Sequence, residues 1–287
     1  MSEKKRFRKE SKYFRIFSTD VEFCQKMAPF LNTHDASALR TTCRQLRNWV
    51  AICPWPHYNA PRVVDYSRWR SCFPNAKGLS LVPRSKRTRD YNFKGVETLN
   101  VDYADLQTSA PTRMFRTADK LETLQIENSP LNVVSKICFF LPKTLTNFHA
   151  KVDNAAALAL SSVSGILSVP NSIITNGSLR FLHHNLHGLN IGGCWGLTDD
   201  ELPHIGCKHL GLLNASYTRF SNAGIRSIPN VGKIELFVFG ENPNINDDLL
   251  DFLPGMKTIY LFMDVSPFSA ARVDELRRRG VEVVDAE

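Results

Sequence analysis

The chain has 287 residues, room for one large domain or two smaller ones, and its 43% hydrophobic content is that of a globular protein. No apolar run approaches the roughly 20 residues that a membrane helix needs, and the basic opening MSEKKRFRKESKYFRIF contains Glu3 and Glu10 and lacks the apolar stretch of a signal peptide. Net charge is +8, and the seven cysteines are scattered without a CxxC pair, which predicts reduced thiols in a cytoplasmic or nuclear protein.

Residues 1–15 form a tail that concentrates positive charge in Lys4, Lys5, Arg6, Arg8, Lys9, Lys12 and Arg15. Arg84, Lys86, Arg87 and Arg89 make a second knot in PRSKRTRD. Both read either as contacts for RNA, an acidic partner or an import receptor, or as solvated, flexible segments. Residues 16–60 have helical spacing. Ala38, Leu39, Thr42, Cys43, Leu46 and Trp49/Val50 share one face, with Asn32 or Thr33 as the cap, and an earlier short helix carries Val21, Phe23, Cys24 and Met27.

The phrase FLNTHDASALRTTCRQLRNWV resembles the F-box, with Glu22, Met27, Leu31, Asp35, Leu39, Cys43 and Arg44 at matching places. That resemblance implies a three-helix module whose partners are the adaptor and cullin of an SCF-type cullin–RING ubiquitin ligase. It implies an adaptor face of Glu22, Met27, Phe30, Leu31, Asp35 and Leu39. The family's opening Leu-Pro is Thr19-Asp20 here, at the end that meets the adaptor. The same helices also read as a cap over the open apolar end of a repeat array.

After a connector at 61–75, one phrase recurs to the end of the chain. VETLNVDYAD and LETLQIENSP both read apolar-x-x-apolar-x-apolar. Taking the second apolar residue as the anchor, copies fall at Leu79, Leu99, Leu124, Phe148, Ile166, Leu189, Leu213, Ile234, Ile259 and Val281. A period of roughly 20–29 residues with an LxxLxL core is the signature of leucine-rich repeats, and it predicts about 9–10 repeats over 76–287. Each short alternating run makes a strand with one buried face, and no single copy can bury that face alone. The return segments LTDDELPHIGCKHL, FSNAGIRSIPNV and INDDLLDFLPGM begin at the candidate caps Thr198, Ser221 and Asn246. The expected fold is therefore α/β: a leucine-rich-repeat solenoid with a parallel sheet on its concave face, preceded by the F-box-like module.

Motifs for chemistry are scarce. There is no phosphate loop and no GxSxG elbow, and the glycines of GLNIGGCWG do not have GxGxxG spacing. His183, His184 and His187 form HHxxH without the glutamate of a zinc protease, and Cys194, His204, Cys207 and His209 cluster only in sequence. No catalytic residue, metal or cofactor is expected.

Strand alternation instead points to a binding face. The early repeats should present an acidic patch of Glu97, Asp102, Glu122 and Glu127 on the concave side. The last should present Leu212, Lys233, Glu235, Phe237, Tyr260 and Phe262, with Phe237 and Phe262 as neighbours. Exposed aromatics of this kind are enriched in interface hot spots. The leading expectation is a non-catalytic subunit that recruits a protein partner to an SCF-type ligase. A structural subunit of a large complex comes second, and an RNA-associated protein using its basic tail third. No membrane partner is expected.

Overall fold

The structure, a computed structural model, describes residues 66–82, 91–103, 113–182, 184–262 and 267–286, without the side chains of Phe262, Asp285 and Ala286. The tail, the F-box-like segment 16–60 and the PRSKRTRD knot lie outside the described residues. The chain divides into two units, residues 1–122 and 123–287.

In the first unit, helix α1 (Tyr66–Cys72) occupies part of the expected connector. Strands β1 (Gly78–Leu81) and β2 (Thr98–Asp102) pair in parallel, Leu79 beside Leu99 and Leu81 beside Val101. All four of those residues are buried. Aromatic rings fill the space that aliphatic side chains fill elsewhere. Tyr66 meets Phe93 edge-on at 5.4 Å between centroids, and Phe93 meets Phe115 at 6.0 Å. Arg70 ties α1 to the strand region by donating to the carbonyls of Ala76 and Lys94.

The second unit is built from eight parallel strands that pair in chain order. They are β3 (Thr123–Glu127), β4 (Asn147–His149), β5 (Ile166–Ser168), β6 (Gly188–Asn190), β7 (Leu212–Asn214), β8 (Leu236–Phe239), β9 (Thr258–Phe262) and β10 (Glu282–Ala286). The register runs Leu124, Phe148, Leu167, Leu189, Leu213, Phe237, Ile259 and Val283. Up to Ile259 this column is buried. The residues two further on, from Ile126 through Ala150, Val169, Ile191, Ala215 and Phe239 to Leu261, make a second buried column. Helices α2 (Leu131–Cys138), α3 (Asn154–Ala159), α4 (Asn222–Ser227) and α5 (Ala270–Arg278), with 3₁₀ turns at Leu179–Phe181, Asp199–His204, Val231–Lys233 and Asp247–Phe252, form the return segments.

Three expected anchors are displaced. Ile166 gives way to Leu167, Ile234 to Phe237 and Val281 to Val283. The run KIELFVF is apolar at both parities, so two registers satisfy the pattern. Burial decides between them: Phe237 and Phe239 are each 0% exposed and stack at 5.3 Å, with Phe268 edge-on to Phe239 at 5.8 Å. Burying two phenylalanine rings outweighs burying Leu236 and Val238.

A polar seam runs beside the apolar columns. In five successive return segments, one Asn or Asp reaches to the residue that opens the next. Asn154 accepts from the Thr175 amide at 2.9 Å and donates to its hydroxyl. Asn176 does the same to Thr198. Asp199 accepts from both the amide and the hydroxyl of Ser221, and Asp247 accepts from both in Ser269. Asn222 bonds the amide and side chain of Asn246. Carboxylates stand where the next residue is serine, and amides where it is threonine or asparagine. Gly224 leaves the space this needs, since a Cβ there would lie 2.0 Å from Asp199 Oδ1.

Two outcomes are expected in urea melts. Phe237→Ala should lose about 3–5 kcal/mol of stability, while Leu236→Ala, one residue away on the opposite face, should lose well under half of that. Asp199→Ala should cost about 1–3 kcal/mol by stranding the Ser221 amide. Asp199→Asn should be much milder, because its amide can donate to the Ser221 hydroxyl.

Candidate protein-interaction face

The outward residues of the second unit follow from its register. In the row just before the anchors stand Asn147, Ile166, Gly188, Leu212, Leu236, Thr258 and Glu282. In the row just after them stand Gln125, His149, Ser168, Asn190, Asn214, Val238, Tyr260 and Val284. The two rows change character along the sheet.

Over β3 to β7 the second row is polar and internally bonded. His149 Nδ1 lies 2.8 Å from Ser168 Oγ, which also accepts from Asn190. Asn190 and Asn214 turn back to accept the amides of Gly192 and Ser216. Burial pushes the His149 imidazole below its ordinary value, and the Glu127 carboxylate opposes that shift.

Over β7 to β10 the face is apolar. Leu212 pairs with Leu236, and Val238 pairs with Tyr260, which pairs with Val284. All five side chains are half-buried, so each leaves part of its apolar surface in water. Ile166, 47% exposed, stands two strands from Leu212, across Gly188. A Cβ on Gly188 would sit 3.2 Å from Ile166 and 3.6 Å from Leu212, so the glycine lets these side chains approach. Some of the charged groups beside this patch have partners: Lys257 Nζ lies 2.6 Å from Glu235, and Glu282 accepts from the Thr258 hydroxyl.

The expected site residues fare differently. Leu212 and Tyr260 stand on the outward face, while Glu235 and exposed Lys233 precede β8. Phe237 does not face outward: it is in the core, and its register neighbour is Ile259 rather than Phe262. The side chain of Phe262 lies outside the described residues. The outward residues of β8 are Leu236 and Val238; with Ile234 taken as the anchor, strand alternation turns Leu236 inward and leaves Val238 unassigned.

The acidic patch also shrinks. Asp102 is 3% exposed and belongs to the interior. Glu97 is paired with Lys77 at 2.8 Å and Glu127 accepts from Gln125, both half-buried, while Glu122 is exposed. Glu22, Met27, Phe30, Leu31, Asp35 and Leu39 lie outside the described residues.

Among the described residues no cluster of three or more His, Cys, Asp and Glu is placed to hold a metal, and no helix is long and apolar enough to cross a membrane. Cys194 and Cys207 are buried, which pushes both thiols up to about 11. Glu201, which motif reading passed over, is 0% exposed and accepts the amides of Gly177 and Leu179 at 2.6 and 2.7 Å. It caps the 3₁₀ turn of the preceding repeat and so has a structural job.

The lowered His149 value has a sign that can be tested. The fold favours the neutral ring, so its contribution to stability is complete above the ordinary value of 6.5 and is lost as pH falls through the lowered folded value. An NMR titration should place His149 below 6.5, and His149→Gln should reduce the loss of stability on acidification. A value above 6.5 would contradict the placement of the ring.

No protein-family model matches the chain, and no curated protein is similar to it in sequence. Solved structures do resemble it. A chain of the Rad7 and Elc1 complex in yeast is 13% identical, with a TM-score of 0.52 over 92% of this chain and 87% of that one. An internalin (inlF) from Listeria monocytogenes is 14% identical, with a TM-score of 0.50 over 79% of this chain and 72% of that one. At these identities the likeness concerns the fold. Together with the parallel register and the strand-and-return repeat, it identifies the fold as that of a leucine-rich-repeat solenoid.

Proposed function

We propose that this chain is a non-catalytic protein-interaction subunit that holds a protein partner on the outward face of β7 to β10. The observation that carries this reading is the apolar patch of Leu212, Leu236, Val238, Tyr260 and Val284, set across paired strands beside the Lys257–Glu235 ion pair. A contiguous apolar surface of this kind is costly in water and is recovered on association. Tyr260 supplies an aromatic anchor with a polar tip, the residue type that dominates interface energetics.

The F-box-like residues 16–60 then join the bound partner to an SCF-type ligase, with the adaptor against residues 19–40. Support comes from the motif resemblance and from a fold neighbour that was solved as a complex of Rad7 and Elc1. Thr19-Asp20 in place of Leu-Pro favours a second reading, in which the head only caps the repeats of a structural subunit of a larger complex.

The test is affinity purification from cells with mass spectrometry, using three forms of the chain. The wild type should recover a partner, the ligase adaptor and a cullin. Leu212→Lys with Leu236→Glu, which keeps an opposite-charge pair across neighbouring strands, should lose the partner, retain the adaptor and melt within a few degrees of the wild type. Deleting residues 1–60 should lose the adaptor and retain the partner. Adaptor recovery that survives the deletion would contradict the assignment of the head. Partner recovery by the Lys/Glu variant would contradict the assignment of the face.

A further inference from the structure

A second surface is carried by the loops that follow β5, β6 and β7, on the edge of the sheet rather than its face. The three loops share one backbone turn. The residue four places after each anchor is left-handed: Asn171 at φ 54°, Gly193 at 72° and Tyr217 at 55°. Because they turn alike, they stack and bond. The Asn171 amide donates to Gly192 O, the Gly193 amide to Ser216 O and the Tyr217 amide to Gly240 O, all at 2.7–2.8 Å. The loops of β5 and β6 press closely. A Cβ on Gly193 would lie 2.1 Å from Asn171 Oδ1, and one on Gly196 would lie 2.4 Å from Ile174 O.

Ile173 and Trp195 are held between those two close approaches. They are 61% and 52% exposed, among the most exposed large apolar side chains of the described residues. In the next loop, the Arg219 guanidinium carbon lies over the Trp195 ring, 5.9 Å from its centre. Among the described residues Arg219 forms no ion pair, and its guanidinium donates no hydrogen bond. Arg219 is itself exposed, so a guanidinium at cation–π distance from the indole still has its N–H groups available to a carboxylate, which it can receive in a forked pair.

We propose that this ledge docks an acidic segment of a partner protein, with a carboxylate on Arg219 and a neighbouring apolar side chain on Trp195 and Ile173. The ledge carries Trp and Arg, two of the residue types enriched in interface hot spots. It offers a single cation, and Glu241 stands in the next loop at the position of Tyr217. That balance suits one carboxylate and not a nucleic acid, which binds through several cations at once. The ledge is separate from the apolar face of β7 to β10 and does not depend on that reading.

Selection of a random-peptide phage library on the full chain tests it. Peptides with Asp or Glu beside an aromatic or aliphatic residue should be enriched. Their binding should fall at least tenfold on Trp195→Ala and on Arg219→Ala, both exposed positions at which folding, checked by urea melts, is expected to be unchanged. Arg219→Glu should select Lys- or Arg-containing peptides instead. The Leu212→Lys, Leu236→Glu variant should bind the original peptides as the wild type does. Several outcomes would overturn the proposal: no acidic–apolar enrichment, equal binding by the Trp195 and Arg219 variants, acidic peptides retained by Arg219→Glu, or loss of the peptides on the Lys/Glu variant. Tight binding of a labelled oligouridylate that is lost on Arg219→Ala would assign the ledge to nucleic acid and would also overturn it.

Discussion

One constraint governs the second unit: a single repeat cannot cover its own strand. The inward side chain of each short strand is hidden only when the strand before and the strand after place a matching side chain beside it. The buried column from Leu124 to Ile259 is the result, and it fixes the register of every strand it crosses. Because side chains alternate along a strand, fixing the inward column fixes the outward rows as well. Leu212, Leu236, Val238 and Tyr260 are therefore neighbours through a packing requirement on the other side of the sheet.

The polar seam works on the same logic where apolar packing ends. Each return segment must satisfy the backbone donors at the start of its helix or turn. The usual solution is local, and it is used at Ser221, whose hydroxyl accepts from Gly224, and at Asp153, which accepts from Ala156. The seam adds a non-local solution, in which the side chain next to one cap holds the cap of the following repeat. Neighbouring repeats are thus joined at three levels: strand pairing, apolar columns and the seam from Asn154 to Ser269. A face supported this way has little freedom to rearrange, which suits a surface that must present apolar groups in a fixed array.

Much of this was legible in the amino-acid sequence, and the failures have particular causes. Where a strand carries one apolar parity, as in VETLNV or LETLQI, the anchor can be read directly. In KIELFVF both parities are apolar, and only the volume of Phe237 and Phe239 decides which goes inside. That one ambiguity moved a phenylalanine from the core to the surface and hid Leu236 and Val238, two of the five residues of the apolar patch. The seam was partly visible: Thr198, Ser221 and Asn246 stand out as caps, and Asp199, Asn222 and Asp247 follow them directly. That the second residue of each pair reaches the next repeat depends on how the repeats stack, which no single segment states. The Trp195 ledge was not legible for the same reason, since Trp195 and Arg219 meet only because two loops turn alike.

The central claim is that one register both buries Phe237 and exposes the apolar face on which a partner is held. Hydroxyl-radical footprinting read by mass spectrometry tests both halves at once, in the free chain and with its partner bound. The result predicted is modification of Leu212, Leu236, Val238 and Tyr260 in the free chain, protection of all four in the complex, and little modification of Phe237 and Phe239 in either state. Strong modification of Phe237 in the free chain, or an apolar face modified equally with and without partner, would contradict it.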